Sequence, residues 1–312
     1  MPPYRICSLD GGGIRGVFTA RLLARLDEAI PGFLPQVDLL AGTSTGGILA
    51  LGLAAGLSPE ALVSLYRDHG AAIFDDSWLD DLKDLGGLAG AQYDNRQLER
   101  ILTRVFEPER HVVRLADLGT RVLIPSFDLD DRDDPRRPPD KPRTWKPKFF
   151  HNYAGADADG QERIGEVALR TSAAPTDFPT YEGYIDGGVV ANNPAMAALA
   201  QALHPTTGRQ QLADLRLLSL GTGTNPTYIA GRGLDWGYAQ WAQPLIELMI
   251  DGAMGVADYQ CRQILGGHYH RLSRFLEAAI PLDAYDKVEA LLHQADQTDI
   301  ADTVAWLRQQ WA

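Results

Sequence analysis

The sequence of 312 residues predicts an α/β fold in three layers, with helices on both faces of a mainly parallel central sheet. Three observations carry that expectation. The first strand-like run, YRICSL (4–9), is largely apolar rather than alternating, as a strand covered on both faces must be. Such runs alternate with helix-like segments, the crossovers that parallel strands require. The first two of them end in glycine-containing turns that lead directly into a helix, at 10–16 and 42–46.

The elements follow in order. After YRICSL, the segment VFTARLLARLDEAI places Phe18, Leu22, Leu26 and Ile30 on one stripe of a helix, which Pro31-Gly32 stops. VDLLAG (37–42) is a second strand and TGGILALGLAAG a small-residue helix behind it. Residues 59–117 read as helical, with Ser58 and Pro59 suited to a cap and first turn. TRVLIPSFDL returns to strand. The stretch 130–148, dense in proline and in both charges, is an exposed loop or hairpin edge. EVALRTSAAPTDF begins helical and breaks at Pro175. YEGYIDGGVVANNPAMAALAQAL is a strand, a Gly-Gly turn and a helix, capped by Asn193 with Pro194 in its first position. LRLLSLGTGT (215–224) is another buried strand. From about 234 the chain is mostly helical, with a possible strand at HYHRLS. With no repeat, low-complexity tract or linker, one domain spanning 1–312 is expected.

The net charge of −12 argues against a nucleic-acid partner and against holding an anionic membrane by charge. Cys7 and Cys261 make no disulfide framework. The start shows no signal peptide and no apolar run approaches the roughly 20 residues of a spanning helix, so a soluble, cytoplasmic protein is expected.

Gly42-Thr43-Ser44-Thr45-Gly46 sits between an apolar strand and a helix, the setting of a nucleophile elbow. The turn is too tight for side chains at 42 and 46, and it leaves the Ser44 hydroxyl at a helix amino end, where free N–H groups favour negative charge. The bland alternative is a tight turn in which Ser44 merely satisfies backbone groups. Asp10-Gly11-Gly12-Gly13-Ile14-Arg15-Gly16 opens the first helix in the same way. Its glycines bare the N–H groups of Gly12 and Gly13 to an anion, as an oxyanion hole requires, and Arg15 would hold the loop or add positive potential. The same letters satisfy the dinucleotide fingerprint, which wants an acidic residue ending the second strand; Asp38 stands near its start instead.

A serine nucleophile needs a base. None of the seven histidines (69, 111, 151, 204, 268, 270 and 293) stands in a recognisable catalytic loop, His151 being the least dismissible. Asp186, where a strand ends at Gly187-Gly188, is the better candidate. An aspartate with a pKa of about 3.9 is a weak base, but burial raises that value. Alone, an Asp-Gly pair signals only a turn.

Together the three motifs resemble the patatin-like phospholipase family. The match comprises the loop at 10–16, the elbow at 42–46 and the Asp186-Gly187-Gly188 turn, supported by TSAAPT (171–176), NNP (192–194) and LSLGTGT (218–224), over roughly residues 4–225. The resemblance implies a serine acyl hydrolase of glycerophospholipids with a Ser44–Asp186 dyad, an oxyanion hole at Gly12 and Gly13, and supporting roles for Gly11, Arg15, Gly16, Gly42, Gly46, Gly187 and Gly188. It implies no metal and no cofactor. Asp177 stands where the family often has an aromatic residue, leaving acyl preference open. Some bacterial relatives are antiphage effectors switched on by cyclic nucleotides, but no residue here identifies such a site. The alternatives are a general carboxylesterase acting on small soluble esters and a lipid-binding protein with an inactive site. LDWGYAQWAQPLIELMI (234–250) either packs its apolar side on the core or makes transient contact with a membrane surface. Trp145, Phe149 and Phe150, beside Lys146 and Lys148, offer a second such contact.

Overall fold

The computed structural model describes residues 2–311 apart from 75–94, 108–110, 135–136, 156 and 176. One sheet organises it. Strands β1 (Tyr4–Leu9), β2 (Leu39–Gly42), β3 (Arg121–Asp128), β4 (Lys146–His151), β5 (Tyr184–Asp186), β6 (Leu215–Leu220) and β7 (Tyr269–Leu272) include a path in the order β4-β3-β2-β1-β6-β7, with β5 also paired to β3. Pairing is parallel throughout except at β4 and β5, which run antiparallel to β3. The predicted three-layer, mainly parallel fold is therefore the observed one.

The layers follow from the period-two geometry of strands. Cys7, Leu9, Leu40, Val122, Ile124, Leu218 and Leu220 belong to one apolar core. The residues between them, Ile6, Leu39, Ala41, Leu123 and Leu217, belong to another. Helices α1 (Gly16–Ala29), α2 (Thr45–Ala54), α3 (Pro59–Phe74), α4 (Asn95–Phe106), α5 (Ile164–Thr171) and α9 (Val288–Asp296) contribute to the first core. Helices α7 (Ala195–Leu203) and α8 (Tyr238–Leu265) contribute to the second. A short helix α6 (Gly188–Ala191) and the terminal α10 (Ala301–Gln310) complete the described helices. The α1 stripe is buried at Phe18, Leu22 and Leu26, and Ser58 caps α3 by accepting from the Ala61 N–H at 3.1 Å.

Several expectations are corrected. The helical reading of 59–117 holds for α3 and α4, whereas 75–94 lie outside the described residues. Residues 111–117 instead form extended chain and a single 3-10 turn, because the segment before α5 takes their backbone groups: Leu115 N donates to Glu162 O and Ile164 N to Val113 O. The strand at the end of the 130–148 stretch is β4, which carries the outer edge of the sheet. After Gly187 the chain makes the turn of helix α6, and α7 starts at Ala195, one residue later than expected, with Asn193 Oδ1 accepting from the Ala195 N–H at 3.0 Å.

Helix α8 divides its roles. Its carboxyl-terminal half packs Cys261 and Leu265 into the second core, while Leu248 and Met249 stand 46% and 59% exposed. Within 234–250 the side chains of Leu245, Leu248 and Met249 are exposed and do not pack on the core. Among the described residues no helix is long and apolar enough to cross a membrane. Phe18 is fully buried, so Phe18→Ala should lower unfolding free energy by about 3–5 kcal/mol in urea titrations. Leu248→Ala, on the exposed face, should change it by less than about 0.5 kcal/mol.

Candidate active site

The site forms where β1 and β2 end. Thr43 N donates to Leu9 O at 3.2 Å, drawing the two exits together. A Cβ at Gly42 would lie 2.0 Å from Gly46 O, and one at Gly46 would lie 2.2 Å from Leu9 O, so neither position admits a side chain. Ser44, between them, has φ 54° and ψ −124°, a conformation that costs a non-glycine residue roughly 1–3 kcal/mol. The strain is held by hydrogen bonds, both tertiary and within the first turn of α2. Ser44 N donates to Thr171 Oγ1 at 2.9 Å, Thr171 Oγ1 donates to Pro125 O at 2.5 Å, and Ser44 O accepts from Ile48 N at 3.0 Å. The side chain is only 8% exposed and stands at the amino end of α2.

Asp186 reaches this place through sheet geometry. On β3, residues Arg121–Leu123 pair with β2, and Ser126–Asp128 pair with β5. Because β4 occupies the other edge of β3 over these residues, β5 continues the edge that β2 leaves. Asp186, opposite Ser126, thus stands just past the end of β2, where the chain has turned through Ser44. Ser126 Oγ fixes the junction by bonding to Arg170 O at 3.0 Å and Ile185 O at 2.9 Å. A Cβ at Gly187 would lie 2.2 Å from Pro125 O, and Gly188 N donates to Asp186 Oδ1 at 2.6 Å.

Burial pushes the Asp186 carboxyl up to about 6, and the nearby Asp177 charge adds to that. Hydrogen bonding from the Ser44 side chain and the Gly188 N–H pulls the other way, favouring the carboxylate. The structure therefore brings Ser44 and Asp186 together, and the departure at Asp177 acts on the electrostatics of the acid. The imidazoles with described partners are engaged elsewhere: His151 with Asp157, His204 with Thr206 and Thr207, His268 with Arg216, His270 with Thr303, and His293 with Gln297.

The glycine loop lies against the same exits. Gly11 N donates to Asn192 O at 2.9 Å, Ile14 N to Leu282 O at 2.7 Å, and Arg15 N to Gly12 O at 3.1 Å. Among the described residues the N–H groups of Gly12 and Gly13 have no acceptor, leaving two donors available to a ligand. A Cβ at Gly11 would lie 2.1 Å from Asn192 Oδ1, and one at Gly12 2.3 Å from Thr222 Oγ1. Gly13, at φ 57°, would place a Cβ 2.2 Å from Leu282 O. Gly16 meets the elbow, where a Cβ would lie 1.9 Å from Thr45 Oγ1. The buried Arg15 reaches the carbonyls of Gly12 and Gly223, each at 3.4 Å, and its charge faces Asp251 and Glu247.

Asp38 accepts from Arg5 N before β2 begins, at the opposite end of the sheet from the glycine loop, so it cannot serve that loop as a ribose-binding acid. Among the described residues, no three or more His, Cys, Asp or Glu side chains are grouped to hold a metal ion. Sequence reasoning overlooked the anchoring parts of Thr171, Thr222, Asn192 and Leu282. The first three lie inside TSAAPT, LSLGTGT and NNP, so a signal was present without a role.

The family model described as patatin-like phospholipase matches residues 7–199. A cGAMP-activated phospholipase of Pseudomonas aeruginosa is 32% identical, the match covering 87% of this chain and 78% of that protein. Protein teg of Priestia megaterium is 28% identical over the full length of both chains. Patatin-like protein 2 of Oryza sativa is 26% identical over 81% of this chain and 71% of that protein. Among solved structures, VipD from Legionella pneumophila aligns with a TM-score of 0.40 and 11% identity, over 95% of this chain and 67% of that one. The chain belongs to the patatin-like phospholipase family, whose members are lipid-hydrolysing enzymes.

Proposed function

We propose that the protein is a serine acyl hydrolase that cleaves fatty acyl esters of glycerophospholipids through a Ser44–Asp186 dyad. What supports this reading is three unlike groups on adjoining turns: a hydroxyl held at a strained elbow, a buried carboxyl whose pKa is raised to about 6, and two N–H groups without an acceptor among the described residues.

In this reading Ser44 Oγ attacks the ester carbonyl carbon while its proton passes to Asp186. The carbonyl oxygen becomes an anion and takes hydrogen bonds from Gly12 and Gly13, which stabilise the charge beside the buried Ser44 and Asp186. Collapse breaks the bond to the glycerol oxygen, and that oxygen leaves as an alcohol with the proton from Asp186. Asp186 then takes a proton from water, the hydroxide oxygen attacks the acyl-enzyme, and Ser44 recovers its proton as the fatty acid departs. A carboxyl near 6 suits both directions, since it is ionised at neutral pH yet a stronger base than an ordinary aspartate. The name of the relative from Pseudomonas aeruginosa also supports trying cGAMP as an activator here.

Mass spectrometry of products from a mixed phospholipid extract, with and without cGAMP, is the direct test. Free fatty acid and lysophospholipid should appear with the wild-type protein and be absent with Ser44→Ala; their absence with folded wild-type protein under both conditions would defeat the proposal. Asp186→Asn should lower kcat roughly 1,000-fold or more. The dependence of kcat/KM on pH should rise through about 6 and level off above it.

Stability should move the opposite way. The folded-state pKa of Asp186 is raised, so its ionised form costs stability above about pH 6, and that cost disappears as pH falls towards the ordinary value of 3.8. The shift corresponds to about 3 kcal/mol. Asp186→Asn should therefore melt higher than wild type at pH 8, with the gain shrinking towards pH 4 in scanning calorimetry.

A further inference from the structure

We infer that Arg271 is a positioning residue for the oxyanion loop, acting through Asp10. The inference rests on the proposed acyl transfer at Ser44. The family model spans residues 7–199, yet three of the contacts that hold the glycine loop come from beyond it: Thr222 Oγ1 donates to Gly11 O at 3.0 Å, Leu282 O accepts from Ile14 N, and Arg271 grips Asp10.

Asp10 immediately precedes the three glycines and is 1% exposed. Its carboxylate accepts from both terminal nitrogens of Arg271, Nη2 to Oδ2 at 2.5 Å and Nη1 to Oδ1 at 3.2 Å. Arg271 Nη1 also donates to Ser219 Oγ at 2.7 Å. Register explains the reach. Ser8 lies opposite Ser219 across β1 and β6, and Ser219 opposite Arg271 across β6 and β7, so the guanidinium crosses β6 to the exit of β1. Burial opposes the charge on Arg271, and Asp10 more than restores it, so the group holds its proton more tightly than usual.

A run of glycines has no side chains to fix its own path, and oxyanion donors misplaced by about 1 Å cost roughly 100-fold in rate. The loop is pinned at both ends instead. Leu282 O holds Ile14 behind the donors, and the two-pronged pair holds Asp10 ahead of them. Only a planar fork makes both bonds to one carboxylate; an ammonium supplies charge but not that geometry. Arg271 touches neither Ser44 nor Asp186 among the described hydrogen bonds, so it would act on the reaction only through the donors.

The experiment compares Arg271→Lys with wild type on a soluble short-chain ester, with Ser44→Ala as the blank. Expected is a kcat lower by about 100-fold, a KM within about twofold of wild type and an unchanged far-ultraviolet spectrum. Labelling of Ser44 by a fluorophosphonate, whose phosphoryl oxygen enters the same hole, should slow in parallel. The paired variant Asp10→Asn/Arg271→Met leaves no buried charge unpaired, and it gives the same reading if lysine prevents folding. A folded variant with kcat within about twofold of wild type would overturn the inference, as would a loss of kcat matched by an equal loss of folded protein. If wild type and Ser44→Ala are indistinguishable, the proposed reaction fails instead.

Discussion

Everything at this site depends on how closely three backbones approach at the ends of β1 and β2. Leu9 O accepts from Thr43 N and lies where a Cβ of residue 46 would stand. The elbow and the glycine loop are thus two faces of one contact. That contact forces Ser44 into a conformation an isolated serine avoids, and the bonds from Thr171 and Ile48 keep it there. The hydroxyl is presented by strain stored locally and restrained by the surrounding sheet.

Electrostatics follow from the same geometry. The carboxyl of Asp186 is enclosed by the elbow, β3 and the turn at Gly187, and enclosure rather than a neighbouring imidazole tunes it. Asp10 is equally buried, and burial pushes its carboxyl up while the Arg271 charge pulls the other way; gripped by that guanidinium, it serves as an anchor. Two buried aspartates close to the same loops differ in their partners. One accepts from a serine hydroxyl and a single N–H, the other from a guanidinium fork. Partner chemistry assigns their roles.

The parts of this arrangement that sequence displayed were those with local rules. Strands between glycine turns, the stripe of α1, the Ser58 cap and the glycine requirement at 42 and 46 all follow from dihedral and steric constraints written in neighbouring residues. Where long-range pairing competes with propensity, the sequence misled. Residues 111–117 follow the segment before α5 instead of forming helix, and α6 coils where a simple turn was expected. Arg271 is an arginine in a short strand, without a motif, and its meaning arises only when β6 and β7 lie side by side. The exposed face of α8 was equally illegible, since an apolar stripe does not say which way it points.

The succession of β2 and β5 along one edge of β3 has a consequence for tolerance to insertion. Ser44 follows β2 and Asp186 ends β5, two strands that share β3 as a neighbour, so the separation of the two residues is set by the hydrogen-bond spacing of the ladder. The hairpin loop at 129–145, which lies outside those paired residues, can lengthen without altering that spacing. Sequence can thus be inserted at that hairpin while Ser44 and Asp186 stay in register.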